Sequence, residues 1–183
     1  MKNLLIFCSL ILIFTFKSYG QNTEVIDMPR NPETGMITYQ EVVQEEGIKD
    51  TLFNRGSAWL HKFFSNPWEV TKVRDQASGV IRGQHQFRLY DIDESGIKID
   101  AGMILYNFKL EFKDNRYRYT LDNFVLKAAS RYPVEKWLDK VSPEYTAKNE
   151  GYLRQIDSYV RNEFVKSLKD GMKPGVKLKK DEW

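Results

Sequence analysis

Cysteine is almost missing from this chain. Cys8 is the only one among 183 residues, and it sits inside an apolar run. Disulfides and thiol chemistry therefore drop out of the account of the remainder. Leu5-Ile6-Phe7 ahead of Cys8 also lacks the small residue that a lipid-modified cysteine would need. Histidine is nearly as scarce, with His61 and His85 alone, and neither belongs to a His-Glu-x-x-His or similar metal-binding spacing. An excess of one charge is lacking too: 28 Lys and Arg stand against 25 Asp and Glu. Such a balance gives no long-range field to gather nucleic acid or anionic lipid. No Gly-x-x-x-x-Gly-Lys phosphate loop occurs, and Gly56-Ser57-Ala58 is not a Gly-x-Ser-x-Gly nucleophile elbow. The longest apolar run, Leu4 to Phe16, falls short of the about 20 residues that a membrane-spanning helix needs.

What is present begins with that run. A basic start, the greasy segment and small Gly20 read as a secretory signal peptide over residues 1–20. The expected product is exported, periplasmic or secreted, and keeps no stable membrane span after cleavage. Lys2 and Lys17 would leave with the signal and no acid would. The processed chain then carries 26 basic against 25 acidic side chains, one net positive charge. Residues 21–35, with Pro29, Pro32 and Gly35 among polar neighbours, read as a linker. Residues 36–170 are long enough for a single domain with an ordinary core, and 171–183 form a basic tail. The closing Lys180-Asp181-Glu182-Trp183 lacks the leucine of a retrieval signal.

From Met36 to Gln44 the pattern is extended, with Ile37, Tyr39 and Val43 on one face and Glu41 as the exception. Asp50 or Thr51 is the expected cap of a helix carrying Leu52, Gly56, Trp59, Leu60, Phe63 and Phe64 at helical spacing. Asn66-Pro67 stops it. Glu69–Asp75 and Val80–Tyr90 are strands split by the hairpin signal Ala77-Ser78-Gly79. Met103–Lys113 alternates strictly, Ile104, Tyr106, Phe108, Leu110 and Phe112 against Leu105, Asn107, Lys109 and Glu111. Asp114-Asn115 turns the chain into Arg116–Leu126, where the apolar phase shifts and predicts a bulge near Asp122-Asn123. A short helical piece at Val134–Lys140 precedes a longer helix, Asn149–Lys169. Its buried stripe is Leu153, Ile156, Val160, Phe164 and Leu168, and Gly171 and Pro174 end it. The order strand, helix, four strands, helix predicts an α+β layer: an antiparallel sheet of about five strands covered by two helices.

Three stretches carry a family likeness. Gly35-Met36-Ile37-Thr38-Tyr39, Lys49-Asp50-Thr51-Leu52-Phe53-Asn54-Arg55 with Trp59, and Lys113-Asp114-Asn115-Arg116-Tyr117-Arg118-Tyr119-Thr120-Leu121 resemble an exported bacterial domain-of-unknown-function family, DUF4468. The resemblance covers about residues 30–128 and implies a fold like that of TATA-binding protein. It brings no activity, cofactor or binding residue, and a TATA-binding-like fold does not imply DNA binding.

The sharpest chemical pattern is Asp91-Ile92-Asp93-Glu94-Ser95-Gly96, the first half of a calcium loop with oxygens offered by Asp91, Asp93 and Ser95. The twelfth position, where a bidentate glutamate belongs, is Gly102, and strands rather than helices flank the loop. An acidic hairpin turn accounts for the same residues without a metal. Arg116-Tyr117-Arg118-Tyr119 offers bases a stacking strand, yet the tyrosines fit the core face and the arginines fit pairing with Glu111 and Asp114. His85 shares an apolar strand face with Ile81 and Phe87, as a partly buried hydrogen-bonded histidine does. Trp59, Phe63, Phe64 and Trp68 could line a ligand pocket, but their spacing is that of core.

No catalytic residue and no cofactor emerge from this inventory. The leading expectation is a non-catalytic binding or envelope-interaction module, whose partner is another envelope protein or a small molecule and not nucleic acid. A carrier of small apolar ligands, with a pocket between sheet and helices, is the second reading. A small hydrolase built on carboxylates and His85 is the third.

Overall fold

Strict alternation becomes the middle of a sheet. In the computed structural model, which describes residues 26–127, 131–143 and 145–175, Lys98–Lys113 forms a strand flanked on both sides by antiparallel partners. The strands are β1 (Tyr39–Gln44), β2 (Thr71–Asp75), β3 (Val80–Ile92), β4 (Lys98–Lys113), β5 (Arg116–Lys127) and β6 (Arg131–Pro133). They lie in the order β1-β5-β4-β3-β2, with β6 pairing the far end of β5. The helices are α1 (Lys49–Phe63), α2 (Pro67–Val70), α3 (Lys148–Ser158) and α4 (Lys166–Met172). A 3-10 turn, Val134–Leu138, follows β6, and a π-helical stretch, Tyr159–Val165, joins α3 to α4 into one continuous rod.

The inward residues of β3, β4 and β5 bury Ile81, Leu89, Ile104, Tyr106, Phe108, Leu110, Phe112, Leu121 and Phe124 under two helices. From α1 come Leu52, Phe53, Trp59 and Leu60; from the C-terminal rod come Leu153, Ile156, Val160, Phe164, Leu168 and Met172. Phe64, Phe108 and Phe164 interlock between the layers, with ring centroids 5.5 to 6.5 Å apart. The two-residue turn holds Asn115 at φ 60°. The bulge falls at Asn123, φ 54°, where the β4–β5 register slips between Leu105 and Asn107. An asparagine tolerates that left-handed geometry better than most residues.

Several expectations need correcting. Neither Asp50 nor Thr51 caps α1. The helix begins at Lys49, Ile48 supplies no side-chain cap, and the Lys49 N–H donates to Asp114 Oδ1 at 2.7 Å from the β4–β5 turn. Glu69 and Val70 are not strand, because Pro67 opens the helical turn α2 and β2 starts only at Thr71. The described part of the expected linker is packed rather than loose. Met28 is 2% exposed, and the Asn31 side chain accepts from the Glu33 and Thr34 amides to turn the chain back onto the Arg30–Ile37 bridge. The last helix extends to Met172, since Gly171 rests against the Trp59 ring and Met172 is buried. The expected signal peptide and residues 176–183 of the tail lie outside the described residues. Among the described residues, no helix is long and apolar enough to cross a membrane.

Candidate functional site

β3 is far longer than its neighbour β2. β2 covers only Val80–Gly83, so the rest of the β3 edge continues past it. The cause is Pro67: the turn of α2 lifts the chain off the edge until Thr71. Which backbone groups face outward is set at both ends of the strand. Gly79 C=O accepts from Phe112 N–H on the β4 side at 2.8 Å. Tyr90 faces the opposite way, its N–H donating to Gln155 Oε1 at 3.0 Å and its C=O accepting from Gln155 Nε2 at 2.8 Å. Successive residues of a strand alternate in direction, so the backbone N–H and C=O of Gln86 and Arg88 face outward as well. Among the described residues, no strand pairs with them.

Beside this edge lies a recess of about 400 Å³, lined by Phe64, Asn66, Glu69, Lys72, His85, Gln86 and Lys127 among others. Asn66 Nδ2 donates to Glu69 Oε2 at 3.0 Å, and Lys127 Nζ reaches Gln86 Oε1 at 3.4 Å. His85 is half-buried against the Phe64 ring, 4.7 Å between centroids. Its Nδ1 lies 3.4 Å from Tyr106 Oη, which is 2.9 Å from Tyr159 Oη on the first turn of the π stretch. Burial lowers the His85 pKa below the ordinary 6.5, so the ring is neutral at neutral pH. Burial also raises Tyr106 well above its usual range and pushes Tyr159 up to about 12. This row of neutral groups can donate and accept hydrogen bonds.

The calcium candidates sit elsewhere, at the β3–β4 hairpin. Asp91 Oδ2 accepts from Lys148 Nζ at 2.7 Å, and its Oδ1 accepts from Tyr152 Oη at 2.6 Å. Asp93 Oδ1 accepts the backbone amides of Ser95 and Ile97, closing the turn. Lysine and tyrosine donors hold Asp91 below the usual carboxylate range. Among the described residues, no three His, Cys, Asp or Glu side chains gather to hold a metal. A second recess, about 670 Å³, runs between this hairpin and α3 beside Ile99, Gly151 and Tyr152.

The aromatic cluster divides. Trp59 and Phe64 are core, with Trp59 Nε1 donating to Ser167 Oγ at 3.0 Å, whereas Trp68 is 72% exposed and stands edge-on to His61. Arg118 pairs with Glu111 at 2.6 Å, as its strand position implies. Glu41, the polar exception of β1, accepts from Tyr119 Oη at 2.7 Å and Lys169 Nζ at 2.8 Å. Sequence reasoning missed the open edge and Gln155. The unequal strand lengths on either side of Ala77-Ser78-Gly79 were the one signal that could have found the edge; nothing local marks Gln155.

Two solved structures share this architecture. A TBP-like protein from Parabacteroides distasonis superposes with a TM-score of 0.64 at 18% identity, covering 79% of this chain and 96% of the other. A DUF4468 family protein from Bacteroides ovatus gives 0.62 at 12% identity, covering 82% and 93%. At these identities the likeness shows the fold. Among curated proteins, none matches the chain. Residues 39–127, from β1 through β5, match the family described as domain of unknown function (DUF4468) with TBP-like fold. The sheet and first helix of this chain thus share the sequence pattern of the DUF4468 family, on the fold of those two solved structures.

Proposed function

We propose that this protein is an exported, non-catalytic binding module and that the recess at the open edge of β3 is its ligand site. The observation that carries the reading is the run of outward backbone at Gln86 and Arg88 beside a recess holding two lysines and a neutral histidine. Export rests on the basic start, the apolar run Leu4–Phe16 and Gly20. A protein meeting its partner outside the cytoplasm needs a preformed surface, and a fixed strand edge is one.

Photo-crosslinking in the exporting cell tests this. A photoreactive side chain at Lys72 is expected to capture a defined partner, while the same group at Gln40 on the far edge of the sheet captures none. Equal capture at both positions, or none at either, overturns the assignment of the site. Full-length tagged chain retained in the cytoplasm overturns export. Specific, saturable product formation by the purified protein overturns the non-catalytic reading.

A further inference from the structure

The proposed site has a partner chemistry written into its geometry. We infer that the recess takes an extended peptide, added as a further strand along Gln84–Arg88, with an acidic side chain seated near Lys72 and Lys127. This rests on the binding reading above and names its ligand class.

Four backbone groups, the N–H and C=O of Gln86 and of Arg88, stand in one line on this edge. Residues two apart in a strand are about 6.6 Å apart. Another extended backbone presents donors and acceptors at that repeat, so main-chain pairing can supply affinity while side chains supply choice. The fold already performs this pairing once: the Gln155 carboxamide, chemically a peptide group, fills both bonds of Tyr90. Gln155 thereby marks one end of the available edge, and α2 with Thr71 marks the other. The interval from Gln84 to Arg88 accommodates about five extended residues, roughly 17 Å. That length suits a short peptide. A second copy docking edge to edge would bring its own α2 and Gln155 against these same ends. The charge at the edge is unbalanced toward positive. Lys72, whose Nζ also donates to the Glu69 carbonyl at 2.8 Å, and Lys127 bring two positive charges to the recess against the one negative charge of the Glu69 carboxylate. An acidic peptide side chain answers that balance.

The test uses the processed full chain, residues 21–183, and three labelled hexapeptides of alternating threonine and valine. One has a central glutamate, one a central lysine, and one the glutamate with its backbone nitrogens methylated. Titration by amide NMR is expected to show the glutamate peptide shifting Gln86 and Arg88 amides, at least ten-fold tighter than the lysine peptide. Methylation is expected to abolish binding. Q86P removes the outward backbone donor, at a place where an edge strand tolerates proline, together with the carboxamide that Lys127 reaches. It is expected to weaken binding at least ten-fold, and Q86A, which loses the carboxamide alone, is expected to keep most of it. Should Q86P fail to fold, the K72E and K127E double variant is expected to reverse the preference for glutamate over lysine.

No binding of any peptide at millimolar concentration overturns the inference, and so do shifts confined to another surface. Methylation without effect, with crosslinks still at Lys72, overturns strand addition and leaves the recess as the binding site. A sedimentation equilibrium showing a dimer that Q86P dissolves assigns the edge to a second copy and overturns the peptide.

Discussion

Three glycines mark where a single carbon decides the packing. A methyl at Gly56 would meet the Phe112 ring at 2.4 Å, and one at Gly171 would meet Trp59 at 2.7 Å. At Gly83 it would meet both the Phe108 ring, at 2.3 Å, and the immobile Val70 carbonyl oxygen, at 2.4 Å. Rings can shift where a backbone oxygen cannot, so the expected order of damage is G83A above G56A. G56A gains about 1 kcal/mol of helix propensity against about 1–3 kcal/mol of overpacking. G83A gains a similar amount, about 0.5–1 kcal/mol, in its strand, but must displace a backbone oxygen as well as a ring. Nothing lies within 4 Å of the corresponding position at Gly151 in α3, and G151A is expected to stabilise by up to about 1 kcal/mol. Urea denaturation of the three variants reads the series directly.

His85 makes a prediction in pH. Burial lowers its pKa in the fold below 6.5, so the unfolded chain takes up this proton first. The neutral ring therefore contributes its full stability above about pH 6.5, and acidification removes that contribution as pH falls toward the lowered value. Thermal melts between pH 7.5 and 5 are expected to show this loss, and H85F is expected to flatten that part of the curve. An unchanged slope in H85F would place the acid sensitivity in other groups.

At the scale of elements, the edge of β3 predicts an alternating pattern of hydrogen exchange. The Phe87 and Leu89 amides face β4 and are expected to be protected, while Gln86 and Arg88 exchange fast. Tyr90 is expected to be protected by Gln155 alone, so Q155A should free that one amide without touching Leu89. Equal protection of all five would mean the edge is covered.

The C-terminal rod holds a second element-scale argument. Ile156, Val160, Phe164, Leu168 and Met172 recur every four residues and are all buried. On a regular α-helix such a stripe slips about 40° per step, about 160° over four steps. The wider π turn at Tyr159–Val165 absorbs most of that slip and keeps the stripe on the sheet. Deleting exposed Asn162 is expected to convert the stretch to ordinary α-helix with Phe164, Leu168 and Met172 still facing inward. Deleting Arg154 from the regular part of α3 rotates the rod by about 100° and is expected to unfold it. Circular dichroism melts of the two deletions separate these outcomes.

Over the whole molecule, carboxylates tie the helices to the sheet. Glu41 of β1 is bound by Lys169 of α4 and by Tyr119, and Asp91 of β3 by Lys148 and Tyr152 of α3. The lysine hydrogen bonds, with help from the tyrosines, hold both carboxyls below their ordinary range. Their folded pKa values lie under the unfolded ones, so their contribution is present at neutral pH and disappears as pH falls through the lowered values. Each pair is exposed and individually small. The expected outcome is a midpoint that drops below about pH 4, with the E41Q and D91N double variant less sensitive to acid than the parent. A parallel drop in both proteins would show that these ties carry none of the acid response.

The sequence by itself determined the elements whose signal is local. Period-two alternation over Ile104–Phe112 places a two-faced strand, because side chains of a strand leave it in alternating directions. The phase change after Leu121 announces the bulge, and Gly56 announces a close approach between layers. Tertiary structure alone decided what depends on distant partners. Asp114 caps α1 from 65 residues away, Gln155 closes the Tyr90 edge from an equal distance, and Met28 turns an expected linker into core. The open edge of β3 belongs to the same class. Which backbone groups stay unpaired is fixed only once every other strand has found its place. A chain carries its periodicities in its covalent geometry, whereas its vacancies are a property of the assembled sheet.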